Sequence, residues 1–156
     1  MDILAHALWG LIFFDSLDMN LYLIILFSLL PDFSAFSFEF VKLILGFKKF
    51  PHSKEEARKK IPRYVGKIYN FTHSLVLVGC LFLILFIFYR SFSWYILPWI
   101  LHILLDIPSH PRDFFGTPIF YPFSSYKFDG YEWGKKWFMI VNYSLIAIGL
   151  VIVYLL

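Results

Sequence analysis

Thiols are nearly absent from this chain. Its one cysteine, Cys80, excludes an intramolecular disulfide, so cysteine usage carries no argument for an oxidising compartment. The same scarcity removes the thiolate-rich closed sites of structural zinc. Inside an apolar run, Cys80 reads as a small core or lipid-facing residue. Charge is sparse as well: Asp, Glu, Lys and Arg make up 16% of the sequence, against about 25% in soluble domains. The opening residues Met1-Asp2-Ile3-Leu4-Ala5-His6 provide neither a basic leader nor a small-residue cleavage site, so the first segment is expected to stay in the mature protein. No internal repeat divides the sequence.

Apolar residues are what the chain has in excess. Hydrophobic residues make up 60%, aromatics 22%, and the mean hydropathy is +0.69, well beyond the roughly 45–50% apolar content of soluble domains. The length of 156 residues suits a single membrane domain over 1–156. Five apolar segments are legible: Ile3–Phe14, Leu21–Leu30, His73–Tyr89, Trp94–Ile107 and Trp137–Leu156. An amphipathic piece, Phe36–Phe47, follows Pro31-Asp32 and reads as lying along the membrane surface. The expected fold is therefore all-α, a polytopic membrane helix bundle with about four to five apolar segments. The first two segments are short for a span and can equally form a re-entrant hairpin.

Two connections carry the positive charge. Eight of the 14 Lys and Arg fall in the basic loop 48–67, and Arg112, Lys127, Lys135 and Lys136 fall in or beside the aromatic, Pro- and Gly-punctuated loop 108–134. The turn Asp15–Asn20 has none. The positive-inside tendency then makes both loops cytoplasmic, along with the N-terminus of a multi-pass protein. The basic loop reads as a topological signal, and no nucleic-acid partner is expected.

This topology collects a chemical set. His102 and Asp106 stand four residues apart and share one helix face, where imidazole and carboxylate can close on one metal ion. His110 follows just past Pro108. His6 opens the first segment, Asp32 ends the second and His73 opens the third, so all six residues come to the cytoplasmic side. Imidazole with carboxylate suits zinc first, with manganese or iron as alternatives. Six ligands can hold one metal or two. Taken singly, His102 and Asp106 also make sense as a helix-tying hydrogen bond, and Pro31-Asp32 and Thr72 as helix caps. His52 reads as a solvated loop residue. The stretch Gly116–Ser124 reads either as a lid over the site or as an interfacial aromatic belt. Asp113, Asp129 and Glu132 read as solvated.

His6, Leu30-Pro31-Asp32, Thr72-His73-Ser74, His102-Ile103-Leu104-Leu105-Asp106 and the trailing Gly116-x-Pro118-x-x-x-Pro122-Phe123 resemble the YdjM-like inner-membrane proteins. That resemblance implies residence in the cell inner membrane, metal-dependent hydrolysis, and metal-binding roles for His6, Asp32, His73, His102 and Asp106. More remotely the pattern is similar to the all-α zinc-dependent phospholipase C and P1 nuclease fold. Where relatives often carry a second acidic residue and a His after Leu-Pro-Asp, this chain has Phe33-Ser34-Ala35, which leaves His110 as the candidate for a replacement ligand. The leading expectation is a hydrolase of an ester or phosphoester, lipid-linked by its location, with Asp32 and Asp106 in catalytic roles. The alternatives are a structural or sensing His/Asp metal site without catalysis, and, last, a transport pathway or proton relay.

Overall fold

The computed structural model describes residues 1–47, 49 and 53–155. Among the described residues the chain is all helical, with 71% of it in helices and no strand. Helix α1 (Ile3–Phe14) starts where Asp2 Oδ1 accepts the Ala5 amide at 3.0 Å. A single 3₁₀ turn, Asp15–Leu17, and a left-handed Asp18 reverse the chain. Asn20 then caps α2 (Leu21–Ile44) by accepting the Tyr22 and Leu23 amides. The resulting α1–α2 hairpin is close enough that a Cβ on Gly10 would lie 2.1 Å from Ser28 Oγ, so glycine is what lets these helices touch.

Pro31 does not end the second helix. Instead α2 runs unbroken through it and absorbs the amphipathic piece that was expected to lie apart. Proline removes one ladder bond and loosens the carbonyls a turn before it. Here tertiary partners occupy the neighbourhood: His102 Nδ1 donates to the Ser28 carbonyl at 2.7 Å, and the Thr72 hydroxyl reaches the Pro31 carbonyl at 3.3 Å.

The basic loop is partly helical, containing α3 (Lys54–Lys60) and the start of α4 (Arg63–Thr72). Ser53 caps α3 by accepting the Glu56 amide at 3.1 Å, a Ser-x-x-Glu start signal. Helix α5 (Leu75–Phe88) begins two residues later than expected because Ser74, not Thr72, is its cap. A short helix α6 (Arg90–Ser93) and a 3₁₀ turn (Trp94–Ile96) lead into α7 (Leu97–Ser109), which continues through Pro108. Helix α8 (Lys136–Leu155) closes the bundle.

By length and composition, α2 and α8 can each cross a membrane, and α4 with α5, bent by 53° at His73-Ser74, makes a third if counted as one broken span. This is fewer than the four to five apolar segments expected. At 1.5 Å per residue, α1 and α7 reach only about 18–20 Å, short of a core of about 30 Å. The outer faces are apolar: Ile84, Ile87 and Phe88 on α5 and Ile140, Ile148 and Ile152 on α8 are exposed. Leaving such side chains in water forgoes about 1.5–3 kcal/mol each, so their solvent is hydrocarbon. Cys80 is likewise exposed on α5.

Two apolar clusters bracket the interior. One joins Phe27, Val78, Ile96, Ile103 and Ile119. The other joins Met1, Ala5 and Ile146. The loop from 110 to 135 folds back onto the end of α7: the Gly130, Tyr131 and Trp133 amides donate to the carbonyls of His110, Pro108 and Ser109. These bonds satisfy acceptors that a helix end leaves open. Its Thr117–Ile119 part is buried beside the start of α5, with the Val76 amide donating to the Ile119 carbonyl. A Cβ on Gly130 would meet the Ile107 carbonyl oxygen at 2.4 Å. Gly130→Ala should therefore destabilise the protein by about 1–3 kcal/mol, seen as a lower melting midpoint by circular dichroism in detergent. An unchanged midpoint would mean that the loop does not grip α7 in this way.

Candidate metal centre

Asp106 is the hub of a polar cluster between the two apolar ones. It is fully buried, and His6, His73, His102 and His110 each lie within 3.4 Å of one of its oxygens. Helix α7 supplies His102 and Asp106 one turn apart. The break between α4 and α5 supplies His73, mid-α2 supplies Asp32, and α1 supplies His6. Asp32 was expected at a helix end; it sits instead in the helical interior, beside Pro31.

Two shells of donors face the two oxygens of Asp106. On the Oδ2 side, His73 Nε2 stands 3.3 Å away and His102 Nε2 3.4 Å away. The two imidazole nitrogens are 3.2 Å apart, and Asp32 Oδ1 is 3.6 Å from His73 Nε2 and 3.9 Å from His102 Nε2. Donors on a zinc tetrahedron with arms of about 2.0–2.1 Å stand about 3.3–3.4 Å apart. The four residues Asp32, His73, His102 and Asp106 thus form a group that can hold a metal ion. On the Oδ1 side lie His6 Nε2 at 3.0 Å, His110 Nδ1 at 3.2 Å and the Met1 amino nitrogen at 2.5 Å.

The tautomers favour a cation. His102 Nδ1–H is donated to the Ser28 carbonyl at 2.7 Å, and His73 Nδ1–H to the Tyr69 carbonyl at 3.1 Å. In a neutral ring this leaves each Nε2 as a bare acceptor. Two acceptor nitrogens and two carboxylate groups then converge with no proton between them. Asp106 Oδ2 and both ring nitrogens of His6 are buried without a hydrogen-bond partner. Burying a charge costs several kcal/mol even after relaxation, whereas a structural zinc ion contributes about 10–16 kcal/mol on binding. A divalent ion among Asp32, His73, His102 and Asp106 would offset both carboxylates and satisfy the orphaned Asp106 Oδ2, so these four residues fit it.

The sequence reading missed the residues that orient these rings. Tyr69 stacks on His73 with centroids 3.8 Å apart, and its hydroxyl donates to the Phe115 carbonyl at 2.6 Å. Its position four residues before His73 was a helical spacing signal. His6 stacks on His102 at 3.6 Å. Trp99 Nε1 donates to the Thr72 carbonyl at 2.8 Å, holding the turn that carries His73. No periodicity announces that contact. His52 lies outside the described residues.

A family model of the YdjM inner membrane protein matches residues 1–156. The chain belongs to the YdjM inner membrane protein family. Membership agrees with the apolar outer faces and the candidate spans. No curated protein and no solved structure matches, so the remote likeness to phospholipase C and P1 nuclease finds no support there. Within this family member, the centre predicts near-stoichiometric zinc or manganese by elemental analysis of the purified protein. The His102→Ala, Asp106→Asn double variant should fall to background, and equal metal in both proteins would dismiss the four-donor centre.

Proposed function

We propose that this YdjM protein is a membrane-bound, metal-dependent hydrolase of an ester or phosphoester, with zinc its preferred ion and manganese or iron as substitutes. The observation that carries this reading is the accessibility of one donor. Asp106, His73 and His102 are sealed, but the Asp32 side chain keeps 15% of its surface and borders a cavity that also touches His110. A purely structural centre gains nothing from an exposed donor beside a cavity. That difference ranks hydrolysis above a structural or sensing role.

Each residue then has a task. His73 and His102, oriented by the Tyr69 and Ser28 carbonyls, present Nε2 to the ion. Asp106 would join them in holding the ion, while its Oδ1 faces His6, His110 and the Met1 amino group. A divalent ion held there supplies Lewis acidity and lowers the pKa of water to about 7. Asp32, the one donor open to the cavity, would exchange its place on the ion with water and accept that water's proton. His110, with 12% of its side chain exposed, stands on the same cavity. The basic residues of α3 and α4 and Lys135-Lys136 flank the cluster's side of the bundle, while Asp15 and Asp18 lie at the other end. The positive-inside tendency therefore supports a multi-pass protein with a cytoplasmic N-terminus.

The test is hydrolysis of a panel of phosphoesters and carboxylic esters by the metal-loaded protein in vesicles. Asp32→Asn should lower kcat by about 10²–10⁴-fold, the range of a lost general base, with the circular dichroism spectrum unchanged. Equal turnover by the wild type and Asp32→Asn would remove Asp32 from catalysis. Absence of any metal-dependent turnover across the panel would return the centre to a structural or sensing role.

A further inference from the structure

Helix α4 borders two cavities. Its Tyr69 stacks on His73 and lines the larger cavity, the one that touches Asp32 and His110. Tyr69 also lines a smaller cavity of about 180 Å³, together with Gly66 and Asn70 of the same helix and Lys127 of the 110–135 loop. At i, i+3 and i+4, Gly66, Tyr69 and Asn70 share one helix face. Phe114 and Phe115 line both cavities, so the two are neighbours across a shared wall. That wall is pinned: the Tyr69 hydroxyl donates to the Phe115 carbonyl, and the two rings meet with centroids 4.9 Å apart.

Three features of the smaller cavity call for an anionic ligand. Lys127 is partly buried and has no ion-pair partner among the described residues; burial alone holds its ammonium below the usual lysine range. A cation drawn out of water without a counter-charge is costly. Arg112 adds to the local positive charge, its Nε donating to the Lys127 carbonyl at 3.0 Å. Asn70 is the second feature: its Oδ1 is buried without a hydrogen-bond partner, and its Nδ2 bonds no described residue. The amide donor is therefore open to a ligand. Gly66 is the third. Glycine inside a helix is weaker than alanine, yet a Cβ here would meet nothing within 4 Å, so no close packing accounts for it. Its missing side chain leaves room at the cavity. Asp113, the one carboxylate in the lining, is exposed and has a partner of its own.

A phosphate group has acceptor oxygens enough to take the Lys127 ammonium and the Asn70 amide at once. The volume is below the roughly 300–1,000 Å³ of sites that enclose a whole small ligand, so it suits one end of a molecule. We propose that Lys127, Asn70 and Gly66 form a subsite for a phosphate group, the non-reacting phosphate of a substrate whose ester bond reaches Asp32 in the adjoining cavity. The substrate role rests on the hydrolase reading; the binding of phosphate does not. Binding energy from such a remote group serves to position the reacting bond.

The first arm of the test titrates inorganic phosphate calorimetrically into the metal-loaded full chain in detergent. Lys127→Gln removes the charge, and Gly66→Leu fills the cavity from an open helix position. Each should weaken phosphate binding about tenfold or more, the loss of a charge-assisted hydrogen bond, and Lys127→Arg should restore it. Metal content should be equal in all four proteins, which separates this site from phosphate on the metal. If one variant does not fold, the other decides. Equal affinity in the wild type, Lys127→Gln and Gly66→Leu overturns the subsite. The second arm compares p-nitrophenyl butyrate with the same ester phosphorylated at the far end of its acyl chain. The wild type should favour the phosphorylated ester about tenfold or more in kcat/KM, and Lys127→Gln should bring that ratio to about one. Cavity-dependent phosphate binding without this preference makes the ligand free phosphate and overturns the substrate role. Cavity-dependent binding without turnover of either ester refutes the hydrolase, and the substrate role with it, while the subsite stands.

Discussion

A carboxylate sealed inside an apolar bundle organises this protein. Asp106 has no exposed surface, and four histidines from three parts of the chain, α1, the α4–α5 break and α7 with its C-cap, stand around it. An unpaired charge in such a setting costs several kcal/mol, a large fraction of the 5–15 kcal/mol by which domains are stable. The surrounding structure is arranged to meet that cost. Backbone carbonyls of Ser28 and Tyr69 fix the ring tautomers, and the loop on the end of α7 holds the helix that carries the carboxylate. On one side the Met1 amino group pairs with Oδ1; on the other, Oδ2 faces the acceptor nitrogens of His73 and His102, a set that can hold a metal ion.

Much of the site was legible because helical spacing is rigid. His102 and Asp106 at i and i+4 had to share a face, and they do. His6, His73 and His110 were placed on one side of the bundle by segment direction alone, and all of them touch Asp106. Asp32 was recognised as part of the set, but its setting was misread. Leu-Pro-Asp looks like a helix end because proline usually makes one. Here α2 continues through the proline, and side chains of α4 and α7 bond the Pro31 and Ser28 carbonyls beside it, contacts that one segment's sequence does not contain. The Ser53-x-x-Glu56 capping signal marks the start of α3 within the basic stretch, where high charge density otherwise resembles a solvated loop. The pairing of Gly130–Trp133 with the end of α7 joins distant residues without any periodic mark, and no local pattern carries it.

The apolar exterior and the polar cluster depend on each other in this fold. The short helices α1 and α7, too brief to span, carry His6, His102 and Asp106, and the long apolar α2 and α8 surround them. Short helices end within the bundle's depth and bring polar groups there without exposing them to lipid, as bundle-facing polar residues in membranes generally require. The broken junction between α4 and α5 does the same for His73: irregular backbone is tolerated at that depth where other protein covers it, and the buried Thr117–Ile119 stretch provides the cover.

The central claim is that Asp32, His73, His102 and Asp106 converge on one ion. X-ray absorption fine structure of the zinc-loaded protein measures this directly. The account predicts a four-coordinate first shell of nitrogen and oxygen at about 2.0–2.2 Å, with outer-shell scattering from two imidazoles. A shell of oxygen alone, without imidazole scattering, would contradict it and reduce the cluster to a set of hydrogen-bonded helix ties.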